Sequence, residues 1–199
     1  MKQYTIGIIG YGGMAVYHQE RLIRDPRLRL AGVSDIDPAR CDLARAHGLR
    51  VYDSNEALLA DPGVDLVLVA TPNHFHHDLS VAALEAGKHV VCEKPVAMDS
   101  AELLSMMDCA RRTGRVLTIH QNRRRDADFI LVRDALRSGR LGRPFSIESR
   151  VLGSRGVPFG WRCHKLAGGG MMLDWGVHLV DQVLQMIPEP VVSVYARGR

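Results

Sequence analysis

The sequence lacks the marks of several protein classes. Its longest apolar runs are only as long as a strand, so no transmembrane span is expected. The N-terminal stretch MKQYTIGIIG has too short an apolar region, and no cleavage pattern, for a signal peptide. The four cysteines show no C-x-x-C spacing, so we expect reduced thiols in a cytoplasmic protein. No G-x-S-x-G, Walker or H-E-x-x-H motif is present.

Lysine is scarce, and basic charge is carried almost entirely by arginine. The chain has 199 residues and a formal net charge of +4, with 4 Lys against 22 Arg. The one dense basic run is Arg123-Arg124-Arg125, and no helix-turn-helix, zinc-finger or aromatic RNA-binding pattern accompanies it. The excess therefore predicts modest attraction of anionic ligands rather than a nucleic-acid partner. With 46% hydrophobic and 24% charged residues, one or two globular domains are expected.

The stretch Tyr4–Ala15, YTIGIIGYGGMA, is typical of a strand that turns into a helix through glycines. Its spacing, Gly10-x-Gly12-x-x-Ala15, is the dinucleotide-binding fingerprint with alanine in the last place. Gly10 permits a tight turn, Gly12 lets the backbone approach a pyrophosphate, and Ala15 lets the helix pack on the strand. The helix N-terminus offers free N–H groups and a positive dipole end to the phosphates. Taken alone, the motif leaves a purely steric role open.

An acidic residue follows at the distance that the fingerprint predicts. Asp35 lies 20 residues beyond Ala15, at the end of the second expected strand. Its carboxylate would accept hydrogen bonds from ribose hydroxyls and repel a 2′-phosphate, so NAD is favoured over NADP. The alternative is a helix cap, which we assign to Asp37 because Pro38 then falls at the first helical position. Arg40 is near enough in sequence to reach a 2′-phosphate, so NADP stays open as the less favoured cofactor.

Strands and helices alternate along the first 120 residues, which predicts an α/β fold with a doubly wound parallel sheet of the Rossmann type. The continuous apolar run VDLVLVA at 64–70 is typical of a strand buried on both faces. Further strands are expected at 28–33, 51–52, 89–92 and 116–119, and helices at 14–24, 38–47, 54–60, 78–86 and 100–113. Ligands of such sheets bind at the carboxyl ends of the strands, where Asp35, Asn73, Glu93 and Lys94 fall.

The pattern changes after Ile119, and we expect two domains, at 1–121 and 122–199. The second is predicted to be an α/β (α+β) unit that is incomplete. It has an amphipathic helix at 127–138, an alternating strand at 145–152 and a loop at 153–160. A flexible glycine run at 168–170, a helix at 171–187 and the beginning of a strand at 191–196 follow.

Lys94 is a candidate catalytic residue. It stands in the segment Glu93-Lys94-Pro95 directly after a strand, where lysine is unusual. An ammonium beside a nicotinamide could hydrogen-bond a substrate hydroxyl and stabilise a developing alkoxide. The alternative is a surface lysine paired with Glu93.

Asp174 and His178 form a second candidate pair. They are four residues apart, so a helix places them on one face. Histidine suits a general base near neutral pH, and Asp174 could hold its tautomer or bind a second hydroxyl. The alternatives are a core histidine and a metal site with Cys163 and His164.

Three histidines, His74, His76 and His77, follow Asn73 and also invite a metal interpretation. Their position after a parallel strand favours contacts to a cofactor or a helix cap instead. We therefore expect no bound metal.

The ordered motifs GYGGMA, SDID, ATPNHFHHD, CEKPVA, QNRRRDAD, GWRCHKLAGGG and DWGVHLVD give the chain a clear resemblance. It resembles the glucose–fructose oxidoreductase / inositol dehydrogenase / rhizopine-catabolism (Gfo/Idh/MocA) family over nearly its whole length. The resemblance implies a Rossmann domain, a C-terminal domain whose open sheet mediates oligomerisation, and NAD(P)-dependent hydride transfer on a sugar, inositol or related polyol. A homo-oligomer, a dimer or tetramer, is expected if that sheet is complete.

The resemblance also assigns site residues by motif. Lys94, Asp174 and His178 match the catalytic positions. Expected cofactor contacts are Gly10, Gly12, Gly13, Met14, Asp35, Thr71, Pro72, Asn73, His76 and Glu93. Expected substrate contacts are the three catalytic residues together with Asn122, Arg124, Trp161 and Arg162.

Two other functions stay open on this resemblance. One is a glycosidase that uses bound NAD for a transient oxidation, and the other is a non-catalytic NAD- or sugar-sensing regulator on the same fold. The presence of Lys94, Asp174 and His178 disfavours the regulator. The family's chains are much longer than this one, so we expect a fragment of a longer protein.

Overall fold

The computed structural model describes residues 2–152 and 159–198, so most of the loop expected at 153–160 lies outside the described residues. Five parallel strands form one sheet in the order β2-β1-β3-β4-β5. The strands are β1 (Tyr4–Ile9), β2 (Leu28–Ser34), β3 (Leu66–Val69), β4 (His89–Cys92) and β5 (Leu117–Ile119). The reversal of strand order at β1 and β3 gives the doubly wound arrangement that the sequence predicts.

Helices connect the strands and continue beyond the sheet. They are α1 (Gly13–Leu22), α2 (Pro38–Ala46), α3 (Asn55–Ala60), α4 (His76–Glu85), α5 (Ser100–Thr113), α6 (Ala127–Arg137) and α7 (Val177–Met186). Short 3₁₀ turns lie at Asn73–Phe75, Asn122–Arg125, Gly160–Cys163 and Lys165–Ala167, and a π-helical turn at Met172–Gly176 precedes α7. No helix in the described part of the chain is long and apolar enough to cross a membrane.

Local capping explains where several helices begin and end. The Asp37 carboxylate accepts a hydrogen bond from the backbone N–H of Ala39 at 2.9 Å, with Pro38 in the first turn of α2. Asp99 caps α5 in the same way through the N–H of Glu102 at 2.9 Å. Gly114 ends α5 in the left-handed conformation, at φ 64°. The predicted cap of α2 by Asp37 is therefore confirmed, and α5 has the bounds that the sequence predicts.

The sheet is buried on both faces, which accounts for its continuous apolar strands. On one face, Ile8 and Leu68 pack with Tyr11 and Ala15 of the glycine turn and α1. On the other face, the neighbouring strand residues join a separate core. Its fully buried members include Val67, Val69, Leu58, Leu84 and Met106. Because Ala15 is completely buried, the small residue at the end of the fingerprint permits close packing of α1 on the sheet.

The strand expected at 51–52 is reduced to a single bridge between Val51 and Val33. The N–H of Tyr52 donates to the Val33 carbonyl at 2.8 Å, but the chain leaves the sheet edge at once. The segment is too short to form a ladder before α3 begins, so the prediction of a third sheet strand here is wrong.

The strands expected at 145–152 and 191–196 are also absent from the described residues, where both segments are irregular. Their apolar side chains, such as Phe145, Val192 and Tyr195, are exposed. Alternating polarity favours a strand only when a neighbour satisfies its backbone hydrogen bonds. Neither segment pairs with the other within the described residues, so the pattern alone does not produce a sheet.

The chain beyond β5 packs against the carboxyl edge of the sheet. The Gln121 side chain donates to the Val177 carbonyl at 3.2 Å, and the Gln182 side chain donates to the Arg123 carbonyl at 3.1 Å. The Asn73 amide donates to the Gly168 carbonyl at 2.7 Å. These contacts bring the segment 160–178 to the edge where ligands of parallel sheets bind.

Candidate functional site

A cleft of about 750 Å³ lies between the carboxyl edge of the sheet and the segment 159–178. Fifteen of the residues singled out from the sequence line it. They are Gly10, Gly12, Gly13, Met14, Asp35, Thr71, Pro72, Asn73, Glu93, Lys94, Asn122, Trp161, Arg162, Asp174 and His178. The structure thus brings residues from seven sequence motifs to one cavity.

The glycine turn forms one end of the cleft. Gly10 has φ 87°, and a Cβ there would lie 2.8 Å from Cγ2 of Thr71, so this position requires glycine. A Cβ at Gly12 or Gly13 would meet nothing within 4 Å. No side chain caps the N-terminus of α1 at Gly12. The turn therefore leaves an open space in front of the N-terminal N–H groups of α1, where a phosphate could be bound.

Asp35 lies beside this turn, and the backbone fixes its orientation. Its Oδ2 accepts a hydrogen bond from the N–H of Tyr11 at 2.6 Å, and its Oδ1 accepts one from the N–H of Asp37 at 2.8 Å. A carboxylate oxygen accepts more than one hydrogen bond, so both oxygens keep capacity for ligand hydroxyls. Arg40 lines the same end of the cleft.

Asn73 and His76 both follow β3, but they have different positions relative to the cleft. Asn73 lines the cleft, while its amide holds the 168–170 loop through Gly168. His76 is buried and does not line the cavity. Its Nδ1 lies 2.7 Å from the Pro95 carbonyl and its Nε2 lies 3.0 Å from the Thr71 carbonyl. His76 therefore ties the loop after β3 to the loop after β4, and burial lowers its pKa.

Gly168 shows why the glycine run is needed. It has φ 77°, and a Cβ there would lie 2.6 Å from the Cβ of Asn73 and 2.6 Å from the sulfur of Met98. At Gly169, a Cβ would lie 2.3 Å from the Arg162 carbonyl oxygen. The run thus permits close approach of this loop to the residues after β3.

Glu93 is a buried carboxylate in the cleft wall. Its Oε1 accepts hydrogen bonds from Nε2 of His18 at 2.7 Å and from Nδ1 of His120 at 2.9 Å. Burial alone would raise the pKa of Glu93, but the hydrogen bonds from His120 and His18 outweigh burial and hold the pKa at about 2. The carboxylate is therefore ionised at neutral pH. The sequence predicts Glu93 as a site residue but neither histidine.

Lys94 crosses the cleft to Asp174. Its Nζ donates to the Asp174 carbonyl at 2.8 Å and to Oδ1 of the Asp174 carboxylate at 3.1 Å. The Nε of Arg162 lies 3.5 Å from the same Oδ1. The alternative pairing of Lys94 with Glu93 does not involve the ammonium group, because only the backbone N–H of Lys94 contacts that carboxylate, at 3.2 Å.

His178, at the start of α7, is buried and faces the cleft. Burial lowers the pKa of His178 to about 4, and the positive charges of Lys94 and Arg123 add to the effect. Its Nδ1 has no hydrogen-bond partner in the described part of the chain. Asp174 directs its carboxylate to Lys94 instead, so it does not hold the tautomer of His178 by a hydrogen bond. A neutral imidazole that lines the cleft can accept a proton from a ligand.

The basic run places one arginine in the cleft and the next outside it. Arg123 lines the cavity, with its guanidinium 4.1 Å from the centre of the Trp175 ring and 2.8 Å from Asp126. Arg124 does not line the cavity and forms a two-point ion pair with Asp181, at 2.8 and 2.5 Å. The 3₁₀ turn at Asn122–Arg125 directs Arg123, but not Arg124, into the cleft. Cleft residues that the sequence analysis did not assign to the site include Phe75, Arg123, Phe159 and Trp175.

The donor atoms that lie close enough to share a metal ion, among the described residues, belong to His18, Glu93 and His120. These are not the sets suggested by the histidine-rich segment after Asn73 or by Cys163 and His164. The cluster results from folding, because its members lie on α1, after β4 and after β5.

Comparison with known proteins agrees with this arrangement. Residues 4–121 match the model of the oxidoreductase family with an NAD-binding Rossmann fold, and residues 129–199 match the GFO/IDH/MocA C-terminal domain. The first match covers the sheet, the glycine turn and Lys94. The second covers Asp174 and His178. The chain therefore carries an NAD-binding Rossmann domain.

Individual relatives extend the comparison. The chain is 35% identical to D-glucoside 3-dehydrogenase of Escherichia coli over 194 residues, covering 94% of this chain and 55% of that protein. It is 43% identical over 148 residues to 1,5-anhydro-D-fructose reductase of Ensifer adhaerens, covering 71% and 44%. The crystal structure of an NAD-binding protein from Listeria innocua superposes with a TM-score of 0.91 at 49% identity, covering 94% and 55%.

The chain spans about half the length of the curated relatives that it matches. Within that span, the family match covers both the glycine turn and the Lys94–His178 end of the cleft. The chain belongs to the Gfo/Idh/MocA family of NAD-binding oxidoreductases.

Proposed function

We propose that the protein oxidises a secondary alcohol of a sugar, inositol or related polyol and transfers the hydride to NAD. The observation that carries the proposal is that Lys94, Asp174 and His178 share one cleft with the open glycine turn and Asp35. The names of two relatives, a glucoside dehydrogenase and an anhydrofructose reductase, support a carbohydrate as substrate.

The residues at the glycine end fit a dinucleotide. The space in front of Gly12 and Gly13 is open to a pyrophosphate, and a β-carbon there would project into it. The Asp35 carboxylate retains acceptor capacity for ribose hydroxyls and would repel a 2′-phosphate. We therefore propose NAD as the preferred cofactor, with NADP disfavoured although Arg40 lines the same end.

The residues at the other end fit proton handling on a hydroxyl group. Bound NAD supplies the acceptor for the hydride. His178 lines the cleft and is neutral at physiological pH, so its imidazole can accept the hydroxyl proton. Lys94 donates a hydrogen bond to the same oxygen and stabilises the alkoxide as it forms. Asp174 positions the Lys94 ammonium and offers a carboxylate acceptor to a neighbouring hydroxyl.

Aromatic side chains complete the proposed substrate end. Trp161, Trp175 and Phe159 line the cavity next to Arg123 and Arg162. Aromatic faces suit the C–H surface of a sugar ring, and the arginines and Asn122 suit its hydroxyl groups. We propose that Trp161, Arg162 and Asn122 contact the substrate directly, whereas the ion pair of Arg124 with Asp181 assigns that arginine to holding α7 in place.

The division into domains at 121/122 and a cytoplasmic location are further parts of the proposal, together with a homo-oligomeric state for a protein whose C-terminal sheet is complete. The exposed apolar side chains of Phe145, Leu152 and Val192 support association through the second unit. Light scattering of a protein with the complete sheet is expected to give a dimer or tetramer.

A panel of sugars and inositols with NAD tests the proposed activity. We expect NADH formation with at least one of them and loss of turnover in Lys94→Ala. A chain that binds NAD but oxidises none of the panel, with Lys94→Ala unaltered in every assay, would refute the proposal. Turnover that consumes no NAD would instead favour an NAD-dependent glycosidase.

A further inference from the structure

Two histidines from distant parts of the chain hold a single oxygen of Glu93. The carboxylate follows β4 directly, and Glu93 is only 4% exposed. His18 reaches it from α1 at 2.7 Å, and His120 reaches it from the residue after β5 at 2.9 Å. The two imidazole rings also contact each other edge to face, with their centroids 4.3 Å apart. The carboxylate is therefore fixed by three separate elements of the Rossmann domain.

This carboxylate carries a charge that no lysine or arginine neutralises by direct contact within the described residues. Its partners there are the two imidazoles and the backbone N–H of Lys94, at 3.2 Å. The nearby Lys94 ammonium is directed to Asp174 instead. Burial raises the pKa of Glu93, but the hydrogen bonds of His120 and His18, together with the positive charge of an imidazole when it is protonated, hold the pKa at about 2. The cleft wall thus contains a buried carboxylate that is ionised at neutral pH.

The position of this charge matters for the cofactor. Glu93 lines the cleft between the glycine turn and the Lys94–His178 end. Under the proposed function, hydride transfer takes place beside Lys94 and His178, so the reacting ring of the dinucleotide binds at this end. An oxidised nicotinamide ring is a cation and a reduced one is neutral. A fixed anion in a wall of low dielectric stabilises the cation and has little effect on the neutral ring.

We infer that Glu93, with His18 and His120 as its positioning residues, makes the cleft bind the oxidised cofactor more tightly relative to the reduced cofactor. This inference rests on the proposed function and concerns the equilibrium between the two bound forms. It assigns a role to two histidines that do not line the cleft. Their hydrogen bonds keep the buried carboxylate both ionised and oriented.

The test compares the dissociation constants of NAD⁺ and NADH for the full chain, by calorimetry and by NADH fluorescence. Glu93→Gln keeps the size of the side chain and removes its charge. We expect the ratio of the NADH constant to the NAD⁺ constant to fall about tenfold, chiefly through weaker binding of NAD⁺. EDTA is present throughout, because the three donor groups could also hold a divalent cation.

The histidine variants separate charge from packing. His18→Phe and His120→Phe keep a ring but remove the N–H donor, so the Glu93 pKa rises and the ratio shifts in the same direction. His120→Gln retains an N–H donor and should recover most of the wild-type ratio. His89→Phe is the matched control, because His89 lies at the opposite end of the same strand, where its Nδ1 accepts from the N–H of Val116 at 3.0 Å.

Two outcomes would overturn the inference alone. Both leave the ratio unchanged in Glu93→Gln: in one the two affinities stay as in the wild type, and in the other both fall equally, which would indicate a structural role. If Glu93→Gln fails to fold, His120→Phe decides the question, because His120 is partly exposed and tolerates replacement more readily. A wild-type chain that binds neither form would overturn the proposed function as well.

Discussion

Lys94 and Asp174 meet across the cleft although 80 positions separate them in the chain. The Lys94 ammonium contacts both the backbone carbonyl and the carboxylate of Asp174, at 2.8 and 3.1 Å. This pair joins the sheet to the segment that carries His178. Under the proposed function, it also holds the ammonium beside the substrate hydroxyl. The same contact therefore has a structural and a chemical consequence, and the two can be measured separately.

Replacement of Lys94 by methionine tests the chemical consequence. Lys94→Met keeps the length of the side chain and removes its charge, so kcat/KM for the alcohol should fall at least about 100-fold. The affinity for NAD should change much less than kcat/KM, because under the proposed function the adenosine and the pyrophosphate bind at the glycine end, away from Lys94. Steady-state kinetics and NAD titration measure the two effects, with Lys165→Met, an exposed lysine, as the control. Full activity in Lys94→Met would exclude the lysine from the reaction.

The depressed pKa of His178 predicts the acid limb of the activity profile. A base must be neutral to accept a proton, and burial with Lys94 and Arg123 holds the pKa of His178 at about 4. We expect kcat/KM to stay flat as pH falls from 8 to about 5 and to decline as His178 becomes protonated, near the pKa that burial sets.

The neighbouring arginine offers a way to move that limb. Arg123→Gln removes one positive charge that disfavours protonation of His178, so the pKa should rise and the acid limb should shift to higher pH. NMR titration of His178 in both proteins provides an independent measurement. A shift to lower pH, or a limb near the ordinary histidine value in the wild type, would contradict this prediction.

The fingerprint glycines should respond differently to alanine. A Cβ at Gly10 meets Thr71 at 2.8 Å and the backbone is left-handed, so Gly10→Ala should lower the free energy of unfolding by about 1–3 kcal/mol. Gly12 has φ −85° and open space around its Cβ, so Gly12→Ala should leave the melting temperature unchanged.

NAD binding should be weakened by the substitution that leaves the melting temperature unchanged. Gly12→Ala should weaken NAD binding about tenfold, because its methyl group fills the space in front of α1. Thermal unfolding and NAD calorimetry on the two variants separate the effects. Normal NAD affinity in Gly12→Ala would place the pyrophosphate elsewhere.

The sheet and its ligand edge could be predicted because their causes are local in sequence. Apolar runs such as that of β3 predict buried strands. Asp37 and Asp99 cap the N-termini of α2 and α5 through hydrogen bonds that span two or three residues. The expected α/β fold with a Rossmann sheet is confirmed. The prediction of strands at 145–152 and 191–196 was wrong because a strand also needs a neighbouring strand, and alternating polarity contains no information about that neighbour.

The site was harder to predict where contacts join distant elements. His18 gives no local hint that it will hold Glu93, 75 residues later. The run of three arginines does not show that Arg123 faces the cleft while Arg124 pairs with Asp181, because a 3₁₀ turn sets their directions. His76 belongs to a motif at the carboxyl edge of the sheet, but its ring is hydrogen-bonded to two backbone carbonyls and does not line the cleft.

Asp35 should control the choice between NAD and NADP. Its carboxylate is held by the N–H groups of Tyr11 and Asp37 at the edge of the cleft, where it would repel a 2′-phosphate. Asp35→Ser removes that charge and leaves Arg40 at the same end, so the ratio of kcat/KM for NADP to that for NAD should rise about 100-fold. Adding Arg40→Ala should cancel most of the gain for NADP without restoring NAD. A ratio that is unaltered in Asp35→Ser would mean that the adenosine ribose does not lie beside this carboxylate.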